Sequence, residues 1–141
     1  MISLTRRYRF PAAHVLRHRS FSDAENERVY GKCANPAGHG HDYGLEITVT
    51  GDVDPRTGQI LDRARLDALV RERVLDRFGY SLLNDDPAFE QRVPTAENIA
   101  LVVQSELAPA IAADGARLAR VRLEETRRNA LTLLERTGLR R

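Results

Sequence analysis

Three of the four histidines in this chain lie at two places where β-strands are predicted to end. His39 and His41 are two residues apart, so on a strand both side chains would point to the same face. His14 ends an earlier segment with the same alternation. Three imidazoles are the usual ligand set of a catalytic zinc ion. The spacing therefore predicts a zinc site made by these histidines, although paired histidines in a glycine-rich turn are also found as ordinary polar loop residues.

The single cysteine of the chain, Cys33, comes six residues before His39. A thiolate is the reactive form of cysteine, and a nearby cation favours its formation. Cys33 is therefore a candidate base or nucleophile beside the predicted metal. A lone cysteine also excludes an internal disulfide, which is typical of a protein from a reducing cytoplasm.

The segments that carry the histidines alternate between apolar and polar residues, as half-buried strands do. In residues 2–14 the apolar side chains and His14 occupy even positions, and in residues 41–52 the apolar side chains occupy odd positions. We expect two strands there. The connection between them, residues 15–40, is predicted to be a long loop that holds Cys33, and loops of this length in a small domain are usually functional.

Two amphipathic helices and two further strands are expected after this pair. Asp62 is a predicted N-cap of the first helix, and Gly79 is predicted to end it. The first predicted helix covers about residues 63–78, and the second begins at about residue 95. The two further strands are predicted at about residues 118–125 and 130–135. Two helices on one face of an antiparallel four-stranded sheet make an α+β fold in the order ββααββ. The open edges of such a sheet favour pairing with other subunits.

Composition limits the classes of protein that this chain can belong to. A length of 141 residues indicates one domain over residues 1–141, and the 42% hydrophobic and 30% charged residues are ordinary for a globular protein. No apolar run or signal-like N-terminus is evident, so we expect a cytoplasmic protein without a membrane span. A net charge of +2, with both signs interspersed, gives no indication of nucleic-acid binding. Residues 139–141 are predicted to be a frayed tail.

Five motifs follow one another over about residues 8–130. They are Phe10–His14, Gly31–Tyr43, Gly58–Asp62, Pro94–Asn98 and Glu125–Thr126. In this order they resemble the 6-pyruvoyltetrahydropterin synthase family, which includes the bacterial 6-carboxytetrahydropterin synthases. The resemblance implies a tunnelling fold (T-fold), in which subunits join edge to edge into trimeric barrels and two trimers form a hexamer. It also implies active sites at subunit interfaces, a pterin substrate, and zinc at His14, His39 and His41.

The resemblance also assigns residues to the pterin. The family's pterin-anchoring glutamate matches Glu125, and a carboxylate suits this task because its two oxygens match two N–H donors on the guanidine-like edge of a pterin. Thr95 and Glu97 match the family motif at the start of the second helix, where they could contact the pterin. Capping of that helix is their alternative role, and the two roles are compatible.

One part of the family's catalytic machinery is missing from this sequence. Family synthases carry an Asp-His pair just after the first helix, which works with the catalytic cysteine in proton transfer, and the matching residues here are Gly79 and Tyr80. A phenol can donate a proton but is a poor base at neutral pH. Three interpretations follow. The first is a zinc-dependent lyase acting on 7,8-dihydroneopterin triphosphate, with Cys33 as base and Tyr80 or a carboxylate replacing the relay. The others are a different pterin reaction, such as side-chain carbon–carbon cleavage, and a pterin-binding hexamer without catalysis.

Overall fold

The computed structural model describes residues 1–135, so the predicted tail at residues 139–141 lies outside the described residues. Within them the strands are β1 (Ile2–His14), β2 (His39–Gly51), β3 (Ser81–Leu82), β4 (Arg117–Thr126) and β5 (Asn129–Leu134). They form one sheet in the order β3-β1-β2-β4-β5, antiparallel except for the parallel β1–β3 pair. β1 and β2 pair along their whole length, from Ile2 opposite Gly51 to His14 opposite His39.

The helices lie between the strands in sequence. They are α1 (Asp23–Tyr30), α2 (Arg63–Val70), α3 (Asp76–Phe78) and α4 (Ala96–Ala113), and a π-helical turn (Arg71–Leu75) joins α2 and α3 into one helical segment. Asp62 caps α2 by accepting from the Ala64 N–H, because the first N–H groups of a helix have no partner within it. None of the helices within residues 1–135 has both the length and the apolar character needed to cross a bilayer.

Strand alternation divides the sheet into an apolar face and a polar face. The apolar face packs against α2 and α4, and its largest fully buried side chains include Phe10, Tyr43, Leu45 and Ile47. Burying one side chain of this size stabilises the fold by about 1.5–3 kcal/mol relative to leaving it exposed. The polar face carries ion pairs between neighbouring strands, such as Arg7–Glu46. The histidines continue the apolar face, and this placement brings them to one end of the core.

The predicted α+β framework is confirmed, and the structure adds elements that the sequence pattern did not indicate. The prediction of four strands was incomplete, because β3 pairs with β1 over only two residues and has no periodicity to detect. The prediction of a loop throughout residues 15–40 was wrong, since α1 forms there with Ser22 as its N-cap. Asn26 is the one buried residue of α1, so this helix has no apolar stripe. β2 also begins at His39, two residues earlier than predicted.

Candidate functional site

Three imidazoles meet at one end of the β1–β2 ladder. His14 and His39 are direct partners in the strand register, and His41 lies two residues farther along the same face of β2. One ring nitrogen from each histidine can be chosen so that all three lie within 4.8 Å of one another. His14 is fully buried and the other two are half-buried. The structure thus brings together the three histidines proposed as metal ligands.

Hydrogen bonds identify which ring nitrogen of His14 carries the proton. Its Nδ1 lies 2.8 Å from the carbonyl oxygen of Pro94, the second residue before α4, and its Nε2 lies 2.9 Å from Nε2 of His39. A carbonyl oxygen only accepts, so His14 Nδ1 carries the proton and Nε2 has a lone pair. A ligand histidine usually donates its second N–H to a backbone carbonyl or a carboxylate, because this bond fixes the tautomer and the ring orientation.

His41 gives a second, independent indication of a missing partner. Its Nε2 is buried and makes no hydrogen bond to any residue in the described range 1–135. Leaving a buried polar atom without a partner costs about 1–3 kcal/mol. A metal ion would satisfy this nitrogen together with Nε2 of His14, and a set of imidazole donors suits zinc, copper, iron or nickel. The donor set therefore fits a metal ion.

Electrostatics keep these imidazoles in the form that binds metals. Burial lowers the pKa of His14 and of His41 below the usual value for histidine, because the charged ring is poorly solvated there. The negative charge of Glu125 opposes the shift in both rings, which places this carboxylate within electrostatic range of the cluster. Both rings are consequently neutral at neutral pH, as a metal ligand must be.

Cys33 lies close to the same end of the sheet. It is half-buried in a short 3₁₀ turn (Gly31–Ala34). Its backbone carbonyl oxygen accepts a hydrogen bond of 2.9 Å from the N–H of Leu16, which lies two residues after His14 in the sequence. Burial raises the pKa of Tyr43, and the charges of Glu125 and Cys33 raise it further. The candidate base and the candidate pterin anchor are thus both within electrostatic range of one buried phenol.

Tyr43 is a site residue that sequence reasoning did not single out. Its hydroxyl lies 3.2 Å from Nδ1 of His14, and its ring is fully buried. The odd-position pattern of β2 places Tyr43 on the same face as His39 and His41, so the sequence contained the signal, but the residue was interpreted as part of the apolar core. The contribution of Pro94 has no comparable signal, since it comes from a backbone carbonyl.

The residues assigned to the pterin occupy two positions near the cluster. Thr95 caps α4, accepting from the Asn98 N–H at 3.3 Å, and Glu97 is exposed in the first helical turn, where a negative charge is favourable. The capping role proposed as an alternative is therefore observed for Thr95. Glu125 is half-buried near the end of β4, and one of its oxygens accepts from Asn129 at 3.3 Å.

Tyr80 makes no hydrogen bond to the three histidines within residues 1–135. Its side chain is 93% exposed, its backbone has a positive φ of 58°, and its N–H donates to the Pro11 carbonyl at 2.6 Å. It borders a groove that is also lined by Pro11, Ala13 and His41, and its hydroxyl makes no hydrogen bond to a histidine within residues 1–135. Within the described residues, Tyr80 therefore adjoins a groove that His41 also lines, without a hydrogen bond to the cluster.

The fold and the site together define a T-fold protein with a candidate three-histidine metal centre. A family profile described as 6-pyruvoyl tetrahydropterin synthase matches residues 3–136. The chain is 40% identical over 111 residues to the 6-pyruvoyl tetrahydrobiopterin synthase of Poecilia reticulata, covering 78% of this chain and 76% of that one. It is 38% identical over 105 residues to the Homo sapiens protein of the same name, covering 74% and 72%.

Comparison of structures gives the same result. The 6-pyruvoyl tetrahydropterin synthase of Caenorhabditis elegans superposes with a TM-score of 0.87 at 34% sequence identity, over 95% of each chain. The resemblance noted in the sequence motifs is therefore confirmed. This chain belongs to the 6-pyruvoyl tetrahydropterin synthase family.

Proposed function

We propose that this protein is a zinc-dependent pterin synthase, a carbon–oxygen lyase that acts on 7,8-dihydroneopterin triphosphate or a closely related pterin. Family membership supports the pterin chemistry. The metal assignment rests chiefly on Nε2 of His41, which is buried and has no hydrogen-bond partner within the described residues. The neighbouring Nε2 of His14 carries a lone pair, because the proton of that ring is on Nδ1. Three histidines with an open fourth position are typical of catalytic zinc.

Each residue of the cluster has a role in this proposal. His14, His39 and His41 hold the zinc ion, which when bound polarises a substrate oxygen. Glu125 accepts two N–H groups of the pterin ring through its carboxylate and so orients the substrate side chain. Cys33 in its thiolate form removes a proton from that side chain.

The N-terminus of α4 completes the substrate site in this proposal. Thr95 and Glu97 follow directly from Pro94, whose carbonyl holds His14, so the start of α4 adjoins the cluster. We assign to both residues a contact with the pterin in addition to the capping that Thr95 performs. The cap fixes the first turn of α4 and thereby fixes where these two side chains point.

The proton relay is the incomplete part of the site. Gly79 and Tyr80 stand in place of the family's Asp-His pair, and no hydrogen bond joins Cys33 to a histidine within residues 1–135. We expect slow turnover, because no adjacent histidine receives the proton of the thiol. Tyr80 directly precedes β3, at an edge of the sheet, and is exposed, so in an assembly its phenol would be available to a neighbouring subunit.

We also propose that the protein is a hexamer of two trimeric barrels. Within the described residues, β3 covers β1 only at Ala12 and Ala13, so most of β1 has a free edge, and β5 forms the other edge of the sheet. Free strand edges are complementary to one another and favour pairing between subunits. Light scattering at micromolar concentration tests the assembly, and a particle of 15.9 kDa, the mass of one chain, would contradict it.

The activity is tested by incubating zinc-loaded protein with 7,8-dihydroneopterin triphosphate and identifying the products by mass. Cys33→Ala should abolish turnover while zinc content and pterin affinity stay close to those of the parent protein, because the thiol is assigned to proton transfer alone. Full activity of Cys33→Ala would remove the thiol from the mechanism. A bound pterin with no product from the parent protein would contradict the lyase assignment and leave a pterin-binding protein.

A further inference from the structure

The hydroxyl of Tyr43 shares His14 Nδ1 with the carbonyl of Pro94, at 3.2 Å and 2.8 Å respectively. Two lone-pair-bearing oxygens therefore converge on one ring nitrogen. The shorter contact requires the proton to be on Nδ1, because a carbonyl oxygen has no hydrogen to donate. The same N–H then donates a second, longer hydrogen bond to the phenolic oxygen of Tyr43. The hydroxyl hydrogen of Tyr43 must therefore point away from the His14 ring.

That hydrogen has no acceptor in the part of the chain that the structure describes. Tyr43 is fully buried, and the contact with His14 is the one hydrogen bond that its hydroxyl makes within residues 1–135. Buried hydroxyl groups normally have a partner for their hydrogen, because leaving it unpaired is unfavourable. The arrangement is thus poor for stability, yet it places a second acceptor on His14 Nδ1.

The ring of Tyr43 is held firmly in this position. It stacks on Phe10 with ring centroids 5.2 Å apart and an angle of 19° between the planes. It also meets His14 and His41 edge to face, at angles of 86° and 68°. The phenolic oxygen therefore cannot turn toward another partner without disturbing the core, and the two imidazoles are constrained by the same ring.

We propose that Tyr43 is a positioning residue, which together with the Pro94 carbonyl holds His14 as the Nδ1–H tautomer and directs its Nε2 to the metal. This inference rests on the metal site proposed above. Tyr8 supplies the contrast, since its hydroxyl donates to Asp67 at 2.7 Å and serves the packing of β1 on α2. One hydroxyl accepts beside a metal ligand, and the other donates in a structural ion-pair network.

The experiment compares Tyr43→Phe with Tyr8→Phe, two variants that lose the same single oxygen. Zinc affinity is measured by competition with a chromophoric chelator, and thermal unfolding is measured on metal-free protein. We expect Tyr43→Phe to bind zinc about tenfold more weakly, the lower end of the usual effect of such partners. Its metal-free form should unfold at the same or a higher temperature, because an unpaired hydroxyl is removed. Tyr8→Phe should show the opposite pattern: unchanged zinc affinity and a lower unfolding temperature.

A third measurement is independent of zinc binding. Long-range ¹H–¹⁵N correlation spectra of the metal-free protein report the tautomer of His14, which should be Nδ1–H in the parent and less populated in Tyr43→Phe. Unchanged zinc affinity in Tyr43→Phe, or a lower unfolding temperature of its metal-free form, would overturn the inference. If the parent protein bound no zinc, the metal proposal would fail, and the spectra alone would decide: a tautomer change supports the role of Tyr43, and identical spectra overturn it.

Discussion

Gly79→Ala is expected to destabilise the fold by about 1–4 kcal/mol, although the substitution adds a single methyl group. A Cβ at this position would lie 2.5 Å from the carbonyl oxygen of Leu75, whereas real Cβ atoms essentially never come closer than 3.0 Å to such an atom. The oxygen must therefore move by about 0.5 Å. It accepts the Gly79 N–H at 2.9 Å, so the shift weakens a bond worth about 1 kcal/mol, and overpacking adds about 1–3 kcal/mol.

Urea denaturation followed by circular dichroism gives the free energy of unfolding of Gly79→Ala and of its control, Gly44→Ala. A Cβ at Gly44 would lie 3.4 Å from its nearest neighbour, the Cβ of Glu124, so there the methyl group meets only van der Waals contact. Glycine is also unfavourable within a strand, and the control should keep or slightly increase the stability. An equal free energy of unfolding for Gly79→Ala and the parent protein would refute the steric argument.

The same contact bears on restoring the family's relay. Gly79→Asp combined with Tyr80→His places a Cβ at the same 2.5 Å from the Leu75 oxygen, so we expect this double variant to lose at least as much stability as Gly79→Ala. The side chain of Tyr80 is also 93% exposed and has no hydrogen bond to the cluster within residues 1–135. The two substitutions alone should therefore give little gain in synthase activity, measured as product formed per subunit, and a large gain would contradict this account.

Three further predictions concern the ion pairs and the site. Arg77 binds Asp86 through two hydrogen bonds of 2.7 and 2.8 Å and holds the pKa of this carboxyl below its usual value. Asp86→Asn should lower the free energy of unfolding, measured by urea titration, by about 2 kcal/mol at pH 7. The difference in stability between this variant and the parent protein should vanish as the pH falls from about 3.8 through the lowered pKa, because the parent carboxylate then becomes protonated. Glu125→Gln should weaken pterin binding by about 2–4 kcal/mol in calorimetry, and equal affinities would contradict its role as anchor. His41→Ala should reduce the zinc content from about one ion per subunit to a trace in elemental analysis, and retention of the metal would remove His41 from the ligand set.

The sequence predicted the parts of the site that depend on the two-residue period of a strand. Because His14, His39 and His41 share parity with buried residues, their common face followed from alternation alone. α1 escaped prediction because it is polar on nearly every side. The position of Tyr80 also escaped prediction, since a helix end followed by a residue with positive φ redirects the chain in a way that no periodicity records. The contact between Pro94 and His14 joins residues 80 positions apart through a backbone atom, so no side-chain pattern reveals it.

The thirteen-residue register between β1 and β2 has a consequence for how the chain reaches its native state. His14 faces His39 at the last rung of this ladder, and His41 faces Ala12. A slip of one residue would turn one strand's side chains to the opposite face and separate the imidazoles. The cluster therefore forms only where β1 and β2 are paired in the correct register. A metal ion would therefore bind only chains with the correct register, and its binding would stabilise this register over a shifted one during folding.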